Sequence, residues 1–184
     1  VRSGLNPAAK DLIGKLAARE LSDGDTIFID SGSTAVNVLR HLPPRIKLTV
    51  VTHSLPAMVE AAKYDGINLI SLGGAFNPAT SSFVGIFAQQ ALSDLRITKA
   101  FLCATGVTVE SGMSNTTFLE AEIKRGVVSH ASSVILVADN SKLGHDATVT
   151  FCRLQDISTF VTDQKPAPKF VEFCRAHNIR LVWE

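Results

Sequence analysis

Three hydroxyls and a glycine fall within five residues at Asp30-Ser31-Gly32-Ser33-Thr34, just after the short apolar run at 26–29. Hydroxyls, a backbone that glycine lets approach a ligand, and the positive end of a following helix together suit a phosphate or carboxylate. Helix capping by Ser33 or Thr34 would use one hydroxyl, not three and a glycine. A second apolar run, at 134–138, leads into Asp139-Asn140-Ser141-Lys142. There Lys142 offers a point charge to a phosphate, although a loop lysine is more often simply solvated. Thr52-His53, Gly73-Gly74 and Thr105-Gly106 close three further runs; a glycine pair by itself also marks a plain turn. His53, Asp30 and Ser31 or Ser54 have the residue types of a hydrolytic triad. The chain has no G-x-S-x-G elbow, and a triad is defined by geometry. Glu120 and Lys124 form an i, i+4 pair expected on a solvated helix face, which leaves Glu122, offset around the helix, as the acid able to face the site.

Other chemistries find no support. There is no G-x-G-x-x-G and no Walker A sequence, so neither dinucleotide nor ATP binding is indicated. Cys103, Cys152 and Cys174 are odd in number and widely spaced, without the pairing of a zinc or redox motif. They fit a reduced, cytoplasmic setting. His41, His130, His145 and His177 lack metal-ligand spacing and are expected at the surface. No cofactor and no metal are expected.

The elements that must position these residues alternate along the chain. Asn6-Pro7 reads as a helix start, with Asn6 as cap. Helices are expected at 34–42, 55–63, 85–95, 117–131 and 168–177. Strands are expected at 26–29, 48–51, 67–72, 100–104, 134–138, 158–161 and 179–182. Residues 145–156 read as an extra strand or an excursion of the sheet. Strands apolar on both faces, separated by helices, predict an α/β fold: a mostly parallel sheet covered by helices on both faces. In such sheets ligands bind outside the carboxyl ends of the strands, and the polar clusters above follow five of them.

The 184 residues suggest one domain, 1–184, and 46% hydrophobic residues can bury a substantial core. Only 19% are charged and the net charge is +1, so the chain has no field for DNA or an anionic membrane. No apolar run is long enough to span a bilayer, and the charged N-terminal stretch is not a signal peptide.

The order of these motifs resembles the C-terminal sensor domain of DeoR-family transcriptional regulators. The resemblance is carried by residues 23–34, then Val50-Val51-Thr52, Leu72-Gly73-Gly74, Phe83-Val84-Gly85 and Lys99-Ala100-Phe101-Leu102. It continues through Glu122-Ile123-Lys124-Arg125 and residues 139–144. It implies a fold similar to ribose-5-phosphate isomerase and glucosamine-6-phosphate deaminase. It also implies an N-terminal winged helix-turn-helix outside this sequence, a phosphorylated sugar effector, relief of repression on binding, and a homo-oligomer, dimer or tetramer. The family's phosphate loop maps to Ser31, Gly32, Ser33 and Thr34. Its strand-end threonine maps to Thr52, its glycine pair to Gly73 and Gly74, and its lysine to Lys142.

Two departures stand out. His53 replaces a frequent Asn, and Cys103-Ala104-Thr105-Gly106 replaces Gly-Ala-Asp-Gly. With Thr105 where an acid is usual, proton transfer on a sugar has no obvious agent. The expectation is therefore a sensor that is not an enzyme. Its ligand contacts would be Asp30, Ser31, Gly32, Ser33, Thr34, Thr52, His53, Gly73, Gly74, Thr105, Gly106, Glu122 and Lys142. The alternatives are an isomerase or deaminase using Asp30, Glu122 and Lys142, and an oligomerisation domain that has lost its ligand.

Overall fold

Each central strand sends alternate apolar side chains to opposite faces, and this dictates two covering layers. The structure, a computed structural model, describes residues 6–184. The expectation that residues 1–5 open the same domain lies outside the described residues. The chain runs α1 (Pro7–Ala18), β1 (Thr26–Ile29), α2 (Ser33–Arg40), β2 (Leu48–Thr52), α3 (Leu55–Ala61) and β3 (Ile67–Ser71). It continues with β4 (Ala75–Asn77), β5 (Ser82–Val84), α4 (Ile86–Ser93), β6 (Ile97–Leu102), β7 (Gly106–Thr108) and β8 (Gly112–Asn115). It closes with α5 (Phe118–His130), β9 (Ala131–Val137), β10 (Val149–Cys152), β11 (Thr159–Val161), α6 (Pro168–Ala176) and β12 (Arg180–Val182).

Seven strands form one sheet in the order β12-β11-β9-β6-β1-β2-β3, every pair parallel. Ile27, Ile29, Val50, Phe101, Ile135 and Val137 face one core with α1, α2 and α3. Phe28, Val51, Ala100, Leu102, Val134 and Leu136 face the other, covered by α4, α5, α6 and the small strands. Burying a side chain of this size stabilises by about 1.5–3 kcal/mol, so two-sided burial sets the register firmly.

The chain winds outward from β1 to β3 on one side, then returns beside β1 at β6. The β1/β6 junction is therefore a switch point, where the flanking loops part and leave a crevice at the carboxyl edge. Both loops that matter, 30–34 and 103–105, leave from it.

The sequence pattern missed four short strands. β4 and β5 pair as an antiparallel hairpin, and β7 and β8 as another, with β10 added to β8. Each has three or four residues, too few for a periodicity to register. β10 is the extra strand left open at 145–156. Asn6 is a correction: it sits in the left-handed region (φ 50°) and its side chain makes no cap. Pro7 does open the helix.

Candidate functional site

Asp30 directly follows β1 and is wholly buried beneath the switch point. Its Oδ1 accepts from the Ser31 N–H (2.8 Å) and faces His53 Nε2 (3.4 Å). Its Oδ2 accepts from the Cys103 N–H (2.8 Å) and pairs with Lys124 Nζ (2.7 Å). One carboxylate thus ties the loop after β1 to the loop after β6. Burial by itself would raise the Asp30 pKa; the Lys124 ammonium, then the His53 contact, overcome it and hold the carboxyl well below the usual range.

A folded-state pKa below the unfolded one contributes stability that is present above about pH 4 and lost as pH falls through the folded value. Wild type is therefore expected to lose urea resistance between pH 5 and pH 3 more steeply than Asp30→Asn. Equal slopes in urea midpoints across that range would show that Asp30 carries none of the loss.

Lys124 Nζ also donates to the Cys103 carbonyl (2.7 Å) and Asn115 Oδ1 (3.2 Å). With Asp30, these engage all three of its protons. Asn115 Nδ2 in turn donates to Glu120 Oε2 (3.1 Å), while Ser31 Oγ (3.0 Å) and Ser82 Oγ (3.4 Å) donate to Glu120 Oε1. Buried Glu120 and Lys124 are thus the inner frame of the site. This corrects the expected solvated pair. Phe118 and Leu119 are largely exposed, and the face of α5 turned inward carries 120, 121, 123, 124 and 127. Glu122 accordingly points away, accepting from Gln89 on α4 (2.8 Å).

Above this frame lies a cavity of about 470 Å³. Ser31, Gly32, Ser33, Thr34, Thr105 and Lys142 line it, as do Lys10, Asn37, Arg40, Cys103, Asn115, Glu120 and Lys124. Gly32 is required there, because a Cβ would stand 2.5 Å from Cys103 Sγ. The Cys103 thiol is pushed up to about 12 by burial and then by Asp30, so it stays protonated.

The remaining expected residues do not line the cavity. Thr52 lies under it, its hydroxyl donating to the Ile29 carbonyl (2.6 Å). His53 is buried against Phe28, with Nδ1 facing the Phe83 carbonyl (3.2 Å). Gly73 and Gly74 turn the chain from β3 to β4; Gly74 has φ 110° and sits against the Val84 carbonyl. Gly106 lets the backbone at His145 approach, since a Cβ there would meet that carbonyl at 2.2 Å. The 140–147 loop is held by that approach and by Gly144 N–H on the Val107 carbonyl (2.8 Å). It also holds Lys142, whose 3-10 turn is capped by Asp139, the acceptor from Ser141 N–H (3.0 Å).

Lys10 was missed altogether. A Cβ on Gly14 would meet Asn37 at 2.7 Å, so α1 crosses α2 very closely. Lys10 lies one turn before Gly14 on the same face, which brings its buried side chain to the cavity. Burial lowers its pKa; Asp139 opposes the shift and Lys142 adds to it. Two lysines thus repel each other beside the first turn of α2, whose N–H groups lack intrahelical acceptors. Among the described residues no group of three or more metal-ligating side chains gathers, and no helix is long and apolar enough to cross a membrane.

The sequence profile of the DeoR C terminal sensor domain matches residues 5–164. The HTH-type transcriptional regulator IolR of Bacillus subtilis is 36% identical over 170 residues, covering 92% of this chain and 68% of that protein. A lactose phosphotransferase system repressor of Staphylococcus epidermidis is 32% identical over 163 residues, covering 87% and 64%. The chain thus spans about two thirds of the length of these curated relatives. Among solved structures, ribose 5-phosphate isomerase A of Methanocaldococcus jannaschii superposes with a TM-score of 0.55 at 22% identity, covering 75% of this chain and 55% of that one. At that identity the likeness speaks for the fold.

Proposed function

This chain belongs to the DeoR C-terminal sensor domains, and we propose that its cavity binds a small anionic, polyhydroxylated effector, a phosphorylated sugar or close relative. The observation that carries this reading is the cavity's divided polarity. On one side Lys10, Lys142 and the α2 N-terminus can share an anion, which would relieve the repulsion between the lysines. On the other, the Glu120 carboxylate, held by Ser31, Ser82 and Asn115, can accept hydrogen bonds from ligand hydroxyls. Lys124 has its protons engaged and acts as a positioning residue for the frame.

In a longer cytoplasmic regulator, a helix-turn-helix domain would read the bound state. The effector shifts operator affinity only as far as the two states bind it differently. No reaction is assigned. Asp30 accepts from four groups and Glu122 faces away, so two of the three groups an isomerase would use are removed. One observation favours a second reading: Glu120 is a buried carboxylate inside the cavity. Turnover of ribose 5-phosphate that Glu120→Gln abolishes would establish it.

A thermal-shift screen of sugars, sugar acids and their phosphates tests the proposal. A phosphorylated compound near 100 times its Kd adds about 2.7 kcal/mol, or roughly 5–10 °C for a domain this size. Ser33→Ala and Lys142→Ala are expected to shrink the shift. If no anionic sugar derivative raises the melting temperature, the effector reading fails.

A further inference from the structure

The cavity holds a third cation apart from the two lysines. Arg40, at the end of α2, lines it together with Ser33 and Asn37 of the same helix. These three residues form a ladder. Asn37 Nδ2 donates to the Ser33 carbonyl (3.2 Å), and Arg40 Nη1 donates to Asn37 Oδ1 (2.9 Å). Asn37 is buried where Gly14 of α1 presses against it, so its amide is a fixed peg for the guanidinium. On the other edge, Arg40 Nε faces Glu60 Oε2 at 3.7 Å. That is beyond hydrogen-bond range, and Glu60 has a nearer cation in Lys63 (2.8 Å). An arginine carries five N–H donors. Here one is spent on Asn37 and one is turned to Glu60; the others meet no acceptor among the described residues.

We propose that Arg40 is a second anion subsite, so that the effector carries an anionic group at each end: a phosphorylated sugar bearing a carboxylate or a second phosphate. This rests on the effector reading of the cavity and narrows it. Asn37 lies four residues beyond Ser33, and Arg40 seven; at ~1.5 Å of rise per residue the guanidinium stands roughly 6–10 Å from the start of α2. A phosphate held there and by Lys142 does not reach it. The far end of an open five- or six-carbon sugar chain does. A guanidinium presents a planar fork that grips either oxyanion with two parallel hydrogen bonds. The Arg40 side chain is 57% exposed, which puts this subsite at the mouth of the cavity, where the outer end of the ligand arrives.

Titration calorimetry of the 184-residue chain with two matched pairs tests the proposal: fructose 6-phosphate against fructose 1,6-bisphosphate, and sorbitol 6-phosphate against 6-phosphogluconate. In at least one pair the doubly anionic member is expected to bind roughly tenfold tighter or more. The pair that shows the advantage tells a second phosphate from a carboxylate. Arg40→Gln is expected to bring the ratio within the pair close to one, and Arg40→Lys, which keeps the charge without the fork, to leave an intermediate ratio. Lys142→Ala should weaken both members alike and preserve the ratio. A melt checks that each variant is folded, as the exposure of Arg40 leads one to expect. Equal affinities within both pairs would overturn the second subsite and leave the effector reading standing. An advantage that folded Arg40→Gln retains would overturn the role of Arg40. No binding by any of the four compounds would overturn the second subsite, and the effector reading would fall with it only if the wider thermal-shift screen is also blank.

Discussion

Replacing Lys124 with methionine is expected to lower the melting temperature by about 10 °C. The Lys124 and Asp30 side chains are 3% and 0% exposed, so the change leaves Asp30 charged in the interior with His53 and two backbone N–H groups as its remaining partners. Breaking a buried pair from one side costs about 3–5 kcal/mol, and each kcal/mol is worth about 2–4 °C in a domain of this length. Methionine keeps most of the volume, which separates lost charge from lost packing. The double change Asp30→Asn with Lys124→Met removes both charges and should recover part of the loss. Calorimetry of the four proteins gives the coupling energy directly. A loss of about 1 kcal/mol or less in Lys124→Met would mean that water already reaches the pair.

Removing both lysines of the anion side should instead spare the fold and abolish binding. Lys10→Ala with Lys142→Ala is expected to weaken a phosphorylated effector about 1000-fold, since each charge-assisted hydrogen bond contributes about 1.5–3 kcal/mol. The unliganded double variant is expected to remain folded, since the Asp30–Lys124 frame beneath the cavity is untouched. Titration calorimetry with the compound found in the screen measures the first effect and a thermal melt the second. A loss below tenfold would place the anion elsewhere in the cavity.

The sheet was legible because its strands declare themselves: 26–29 reads as the strand it is, and the winding follows from apolar runs alternating with helices. The 31–34 loop, Thr105 and Lys142 were legible for the same reason, as residues directly past strand ends. Glu120 and Lys124 were not. An i, i+4 charge pair has the same spacing on a buried face as on a solvated one. Lys10 had no local signal, because its place depends on the close crossing at Gly14 and Asn37. Thr52, His53 and Gly106 follow the expected strands or close upon them, yet they serve the frame beneath the cavity. Position along a strand does not distinguish lining from support.

The contact between Gly32 and Cys103 ties two distant positions into one heritable unit. A thiol at 103 is compatible only with a missing side chain at 32, whereas a glycine at 103 would free 32 to carry a methyl or hydroxymethyl group. Bulk added at 32 alone runs into 103, so related chains can exchange bulk between the two loops only by first emptying 103. The shape of the cavity roof is then set by a pair of substitutions in sequence, and a change of effector preference that passes through this contact must pass through an intermediate holding glycine at both.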